Sequence, residues 1–302
     1  MVGVAPRRPP ANYSCHLHDA KRLSATFVCA ERLGLRQPSG ALGQRNPADE
    51  NQKCAGRKWK GEIQSRANHE RAQMNVEGRK ALLALLLLVP AQSTVTVAFF
   101  WWSDTMAGKI IVVACKLWLI LLPVVWLKFV DRGQLSWSLP KLGGFRTAVV
   151  LGLAIATVIF AAAAIASHLG AIHPEKIAAR AAQTGLNHFG VYLGSAMGWI
   201  TLNSLMEEYV WRWFVFRKFE VLLGGKLAVP AAALAFTAHH VIVLAAQFGP
   251  IALLGSCGVF MGGAAWNWLY MRYRSIWPGY ISHAIADAAI FIIGYRLIFN
   301  QP

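Results

Sequence analysis

Residues 206–214 read MEEYVWRWF, which sets Glu207, Glu208 and Arg212 inside an otherwise apolar stretch. Two further stretches of the same kind follow. AFTAHHV at 235–241 carries His239 and His240, and ISHAIADAA at 281–289 carries His283 and Asp287. Ionisable groups in apolar helices are costly and face a partner or a water-filled cavity. A free carboxylate with two or three imidazoles suits the activation of a water molecule, with the carboxylate as general base. Glu207 takes that role. His240 orients the water or gives a proton. His283, with Asp287 near its other ring nitrogen, stabilises a developing oxyanion. Ser204 and Ser282 stand close by in sequence, but no Ser-His-acid arrangement emerges.

Helical spacing sorts these groups. Glu208 and Arg212 are four apart, share a face and can pair, which reads as a structural ion pair. Glu207 points about 100° away and keeps its charge available. Phe236 and His240 are four apart, as are His283 and Asp287. The adjacent His239 and His240 cannot both point squarely at one centre, so His240 is assigned to the site. His239 is read as a hydrogen-bond partner between helices.

The elements that must position these groups are membrane helices. The chain has 302 residues, 56% hydrophobic and 15% charged, where a soluble domain carries about 25% charged residues. The expected fold is all-α, a polytopic bundle of about seven transmembrane helices at 81–102, 110–130, 146–169, 189–214, 228–246, 250–271 and 277–298. Residues 171–188 are polar enough for an interfacial helix or loop. The net charge of +16 divides into +7 over residues 1–73 and +9 over 74–302. No nucleic-acid-binding pattern accompanies it, and basic connections touching anionic lipid account for it. Their distribution favours a cytoplasmic N-terminus in a plasma (inner) membrane. Cys15, Cys29, Cys54, Cys115 and Cys257 form no C-x-x-C pair and read as free thiols.

Taken in order, E-E-x-x-x-R (Glu207, Glu208, Arg212), F-x-x-x-H (Phe236, His240) and H-x-x-x-D (His283, Asp287) resemble the CPBP family of intramembrane proteases. That family holds the type II CAAX prenyl endopeptidases and the bacteriocin-processing and abortive-infection proteins. The resemblance covers about residues 146–298. It implies an intramembrane endopeptidase that hydrolyses a peptide bond of a membrane-associated or C-terminal-tail substrate. By motif match Glu207 activates the water, Glu208, Arg212 and Phe236 support it, His240 assists at the water, and His283 and Asp287 form the oxyanion side. Many members carry Asn where this chain has Asp287, and an ionised Asp cannot donate to an oxyanion. No cofactor is expected. The alternative is zinc held by Glu207, His240 and His283 with water in the fourth position. Two other function classes compete: a non-catalytic immunity or scaffold protein of the same fold, and a proton-coupled transporter, since Glu/His/Asp chains also relay protons.

Residues 1–73 form a polar, basic segment read as disordered or weakly helical, followed by a membrane domain at 74–302. Val89-Pro90-Ala91 resembles a signal-peptide cleavage site, but the apolar run continues to Trp102, a length that suits a spanning helix. MNVEGRKALLALLLLVP, from Met74, has the form of a natural membrane-protein start, so 1–73 reads as an extension of the gene product. Mass spectrometry of the native protein is expected to place the N-terminus at Met74. A digest peptide from residues 20–60 excludes it.

Overall fold

The computed structural model describes residues 47–249 and 252–300, and all regular structure among them is helical. The elements are α1 (Pro47–Trp101), α2 (Met106–Val125), α3 (Phe145–His168), α4 (Pro174–Gln183), α5 (Phe189–Gly198), α6 (Ser204–Glu207), α7 (Arg217–Leu223), α8 (Gly225–Phe248), α9 (Ala252–Tyr273) and α10 (Ile276–Phe299). Wider π-helical turns follow α2 at Trp126–Val130, join α5 to α6 at Trp199–Asn203, and join α6 to α7 at Glu208–Phe216. The chain divides into two compact units at Ser65 and Arg66. In the first, the described residues 47–65 are helical. The expected organisation of residues 1–46 lies outside the described residues.

Among the described residues, five helical segments are long and apolar enough to cross a membrane: Ala67–Trp101, Met106–Val130, Phe145–His168, Gly225–Gln247 and Ile276–Phe299. The chain is therefore a multi-pass membrane protein, since helices of this kind pair their backbone polar groups internally as a bilayer requires. The expected count of seven does not stand on this measure. The runs expected at 189–214 and 250–271 are helical, but the first is charged and divided by π-turns. The second, α9, is diluted by glycines, Asn267 and two tryptophans.

Burial explains the charged run. In the turn Glu208–Phe216, every side chain except that of Tyr209 is buried. This segment packs against α8, α9, α10 and α2, so it is the inner helix of the bundle. A helix enclosed on all sides presents no face to lipid, and charge on it can be met by protein. The outer helices show the opposite pattern. Phe145–His168 is only 17% buried over its most apolar stretch, and Val150, Leu153 and Val158 project outward, where lipid is their natural solvent.

Polar contacts around the loop at 131–144 fix one end of the bundle. Lys218 pairs with Asp131, which also accepts from Trp126 Nε1 at 3.2 Å, tying α7 to the end of α2. The loop at 131–144 caps α10, the helix that carries His283 and Asp287. Ile276 N donates to Ser138 Oγ at 3.0 Å, Ser275 Oγ donates to Ser138 O at 2.6 Å, and Trp277 Nε1 donates to Trp137 O at 3.1 Å. Ser138 does this from a left-handed conformation, φ 53°. Its side chain satisfies an N–H that a helix start otherwise leaves unpaired. Ser138→Ala is expected to destabilise the protein by about 1 kcal/mol, read as a lower unfolding midpoint in detergent. An unchanged midpoint removes the capping role.

Candidate active site

The inner helix brings its polar groups to one place. Arg212 and Glu208 are both fully buried, with Arg212 Nη1 3.2 Å from Glu208 Oε1. The contact is a charge pair without hydrogen-bond alignment, since no guanidinium nitrogen meets a hydrogen-bond partner among the described residues. Aromatic faces take up the rest of the cation: its centre lies 4.5 Å from the Phe236 ring and 5.1 Å from the Trp266 ring. A desolvated guanidinium over two ring faces gains cation–π attraction of about 2 kcal/mol. Phe236, at 1% exposure, also touches the rings of Trp211, His239, His240 and His283. It is the apolar floor on which the polar groups stand.

Glu208 has a second partner. His283 Nδ1 donates to Glu208 Oε1 at 3.0 Å, and Trp266 stacks flat on the His283 ring at 3.9 Å between centroids. The expectation set Asp287 on the ring nitrogen opposite the site. Glu208 occupies that position instead. The other nitrogen, Nε2, faces Glu207 Oε2 at 3.7 Å and Asp287 Oδ1 at 3.9 Å. Asp287 is held from behind by Ser204 Oγ, which donates to its Oδ2 at 2.7 Å.

Glu207 is 7% exposed and accepts one hydrogen bond, from Asn203 Nδ2 to Oε1 at 3.0 Å. One carboxylate oxygen of Glu207 and one ring nitrogen each of His239 and His240 lie within 4.8 Å of one another. His240 Nδ1 is hydrogen-bonded to the Phe236 carbonyl at 3.0 Å. His239 is 3% exposed, stacks on Trp211 and, among the described residues, has no hydrogen-bond partner at either ring nitrogen. The structure thus brings together Glu207, Glu208, Arg212, Phe236, His240, His283 and Asp287. It adds His239, set aside on adjacency alone, together with Asn203, Ser204 and Trp266. Asn203 was findable, standing four residues before Glu207 on one helix face. Nothing in the sequence marks Trp266 among twelve tryptophans.

The spacing bears on what the three donors hold. Three atoms no more than 4.8 Å apart all lie within about 2.8 Å of a common point, the length of a hydrogen bond to water. Zinc takes these donor types at about 2.0–2.2 Å, which needs them about 3.4 Å apart. The donor set suits zinc in kind, and a spacing of up to 4.8 Å also admits a shared water.

Residues 190–289 match the family model described as type II CAAX prenyl endopeptidase Rce1-like. No curated protein and no solved structure matches the chain.

Close approach of α10 to the inner helix is what lets Glu208 reach His283. A Cβ placed on Gly279 meets Glu208 Oε2 at 2.2 Å. Gly279→Ala is expected to destabilise the protein by about 1–3 kcal/mol through overpacking, measured by thermal unfolding in detergent. Wild-type stability of that variant would show that the two helices approach less closely.

Proposed function

From the premise that residues 190–289 form a domain of the Rce1-like type II CAAX prenyl endopeptidase family, we propose that the chain is an intramembrane endopeptidase whose nucleophile is a water activated by Glu207. The family is a protease family, which supports a hydrolase whose substrate is a membrane-associated protein. The observation that carries the finer reading is the buried Glu207 carboxylate. It has a single hydrogen-bond donor and stands beside ring nitrogens of His239 and His240.

The proposed steps follow from this arrangement. Glu207 takes a proton from water as the water oxygen attacks the scissile carbonyl carbon. The carbonyl oxygen gains negative charge, and His283 meets it as an imidazolium, with Nδ1–H on Glu208 and Nε2–H toward the oxyanion, while Asp287 serves there in its protonated form. The C–N bond then breaks, and Glu207 returns the proton to the leaving nitrogen. Glu208 and Arg212 hold His283 and the inner helix in place. The distribution of basic connections favours a site open toward the cytoplasm. The substrate class is a peptide presented from the membrane or as a C-terminal tail.

Zinc is the second reading, favoured by the three-donor cluster itself. Glu207, His239 and His240 would hold it, with His239 in the place first given to His283. Bound zinc supplies a Lewis acid and an acidified water.

The test uses purified protein in detergent with two probes, a farnesylated peptide ending in C-a-a-X and a library of transmembrane peptides, read by mass spectrometry. Glu207→Gln is expected to lower cleavage by roughly 100- to 10,000-fold with its fold intact, and a strong chelator to leave the wild type unaffected. Glu208→Gln is expected instead to lower stability, because it leaves Arg212 buried without its counter-charge. Full cleavage by Glu207→Gln overturns the glutamate reading. Loss with chelator, restored by Zn²⁺, replaces it with the metal reading. A wild type inert on both probes favours the non-catalytic alternative.

A further inference from the structure

His239 is a buried polar group that the steps above leave unused. It is 3% exposed, and among the described residues neither Nδ1 nor Nε2 has a hydrogen-bond partner. Burying an imidazole with both nitrogens unmet costs free energy, and such groups normally face water or a ligand. Its ring is 4.0 Å from that of His240 between centroids, and it lies flat on Trp211. One of its nitrogens belongs to the cluster with Glu207 and His240.

The hydrogen-bond roles in that cluster are unequal. A carbonyl oxygen only accepts, so His240 carries its proton on Nδ1 for Phe236 O, and its neutral ring offers Nε2 as an acceptor. Glu207, as a base, is an acceptor too. A water held by these two alone has both protons engaged and neither lone pair aimed. Fixing its direction takes one donor. We propose that His239 is that donor: its ring N–H binds one lone pair of the nucleophilic water and leaves the other pointed at the scissile carbonyl. His239 then touches the reacting atom and is a catalytic residue of the same site, an assignment that rests on the Glu207 reading. The bond changes are those already given. The proton leaving water goes to Glu207, and His239 keeps its own throughout.

The experiment compares His239→Phe, which keeps the stack on Trp211 but loses the N–H, with His239→Gln, which restores a donor. Glu207→Gln is run beside them on whichever probe is cleaved, and zinc content is measured in every preparation. Expected are a fall in kcat of roughly 30-fold for His239→Phe, an unchanged KM, and partial recovery for His239→Gln. Wild-type kcat in His239→Phe with Glu207→Gln inactive overturns the role of His239 and leaves the glutamate reading standing. Both variants active overturns both. Loss of one equivalent of zinc in His239→Phe makes His239 a metal ligand and overturns the donor role. Should His239→Phe fail to fold, His239→Gln and His239→Leu carry the same comparison. Should neither probe be cleaved, a high-resolution experimental structure decides. A water within hydrogen-bond distance of Glu207, His239 and His240 together supports the role, and a dry His239 overturns it.

Discussion

The buried carboxylate of Glu208 is the constraint around which the rest is arranged. A fully desolvated charge persists only when it is paired and hydrogen-bonded. Arg212 supplies the opposite charge from the same helix face, and His283 supplies an aligned hydrogen bond from α10. One carboxylate oxygen thereby joins the inner helix to the helix bearing the rest of the polar set. The cation is met in turn by Phe236 from α8 and Trp266 from α9. Four helical segments converge because one charge pair cannot be left in an apolar interior.

That convergence also explains the division between the two adjacent glutamates. Glu208 faces the pair and is used up by it. Glu207, turned about 100° around the helix, looks toward His239, His240 and the Nε2 edge of His283. Structure and chemistry are thus carried by neighbouring residues of one type, separated only by helical phase. The glycine at 279 belongs to the same logic, since any side chain there would collide with Glu208. Ser138 and Ser275, at the start of α10, hold that helix at its end. They set the position of His283 from two turns away.

Much of this was legible before any coordinates. Membrane helices announce themselves through apolar length, and charges within them through their cost. The i, i+4 pairs Glu208–Arg212 and Phe236–His240 are local geometry, and both contacts are present in the structure. The count of spans was less legible. The inner helix tolerates charge because it is shielded by protein and has no need to satisfy lipid. The proximity of His239 to Glu207 was not legible for a related reason. Adjacency on a helix fixes the angle between two side chains, but the distance to a third group on another helix decides whether both can reach it.

The sequence by itself determined the helical, membrane-spanning character of the chain, the faces that its polar residues share, and the family model that residues 190–289 match. These depend on composition, on a period of about 3.6 residues, and on motif order. The tertiary structure alone decided which nitrogen of His283 meets which carboxylate, that Trp266 covers that ring, and that His239 stands near Glu207 with no hydrogen-bond partner among the described residues. Those contacts join residues as many as 75 positions apart. No periodicity encodes them, because they are set by how closely the backbones of different helices approach.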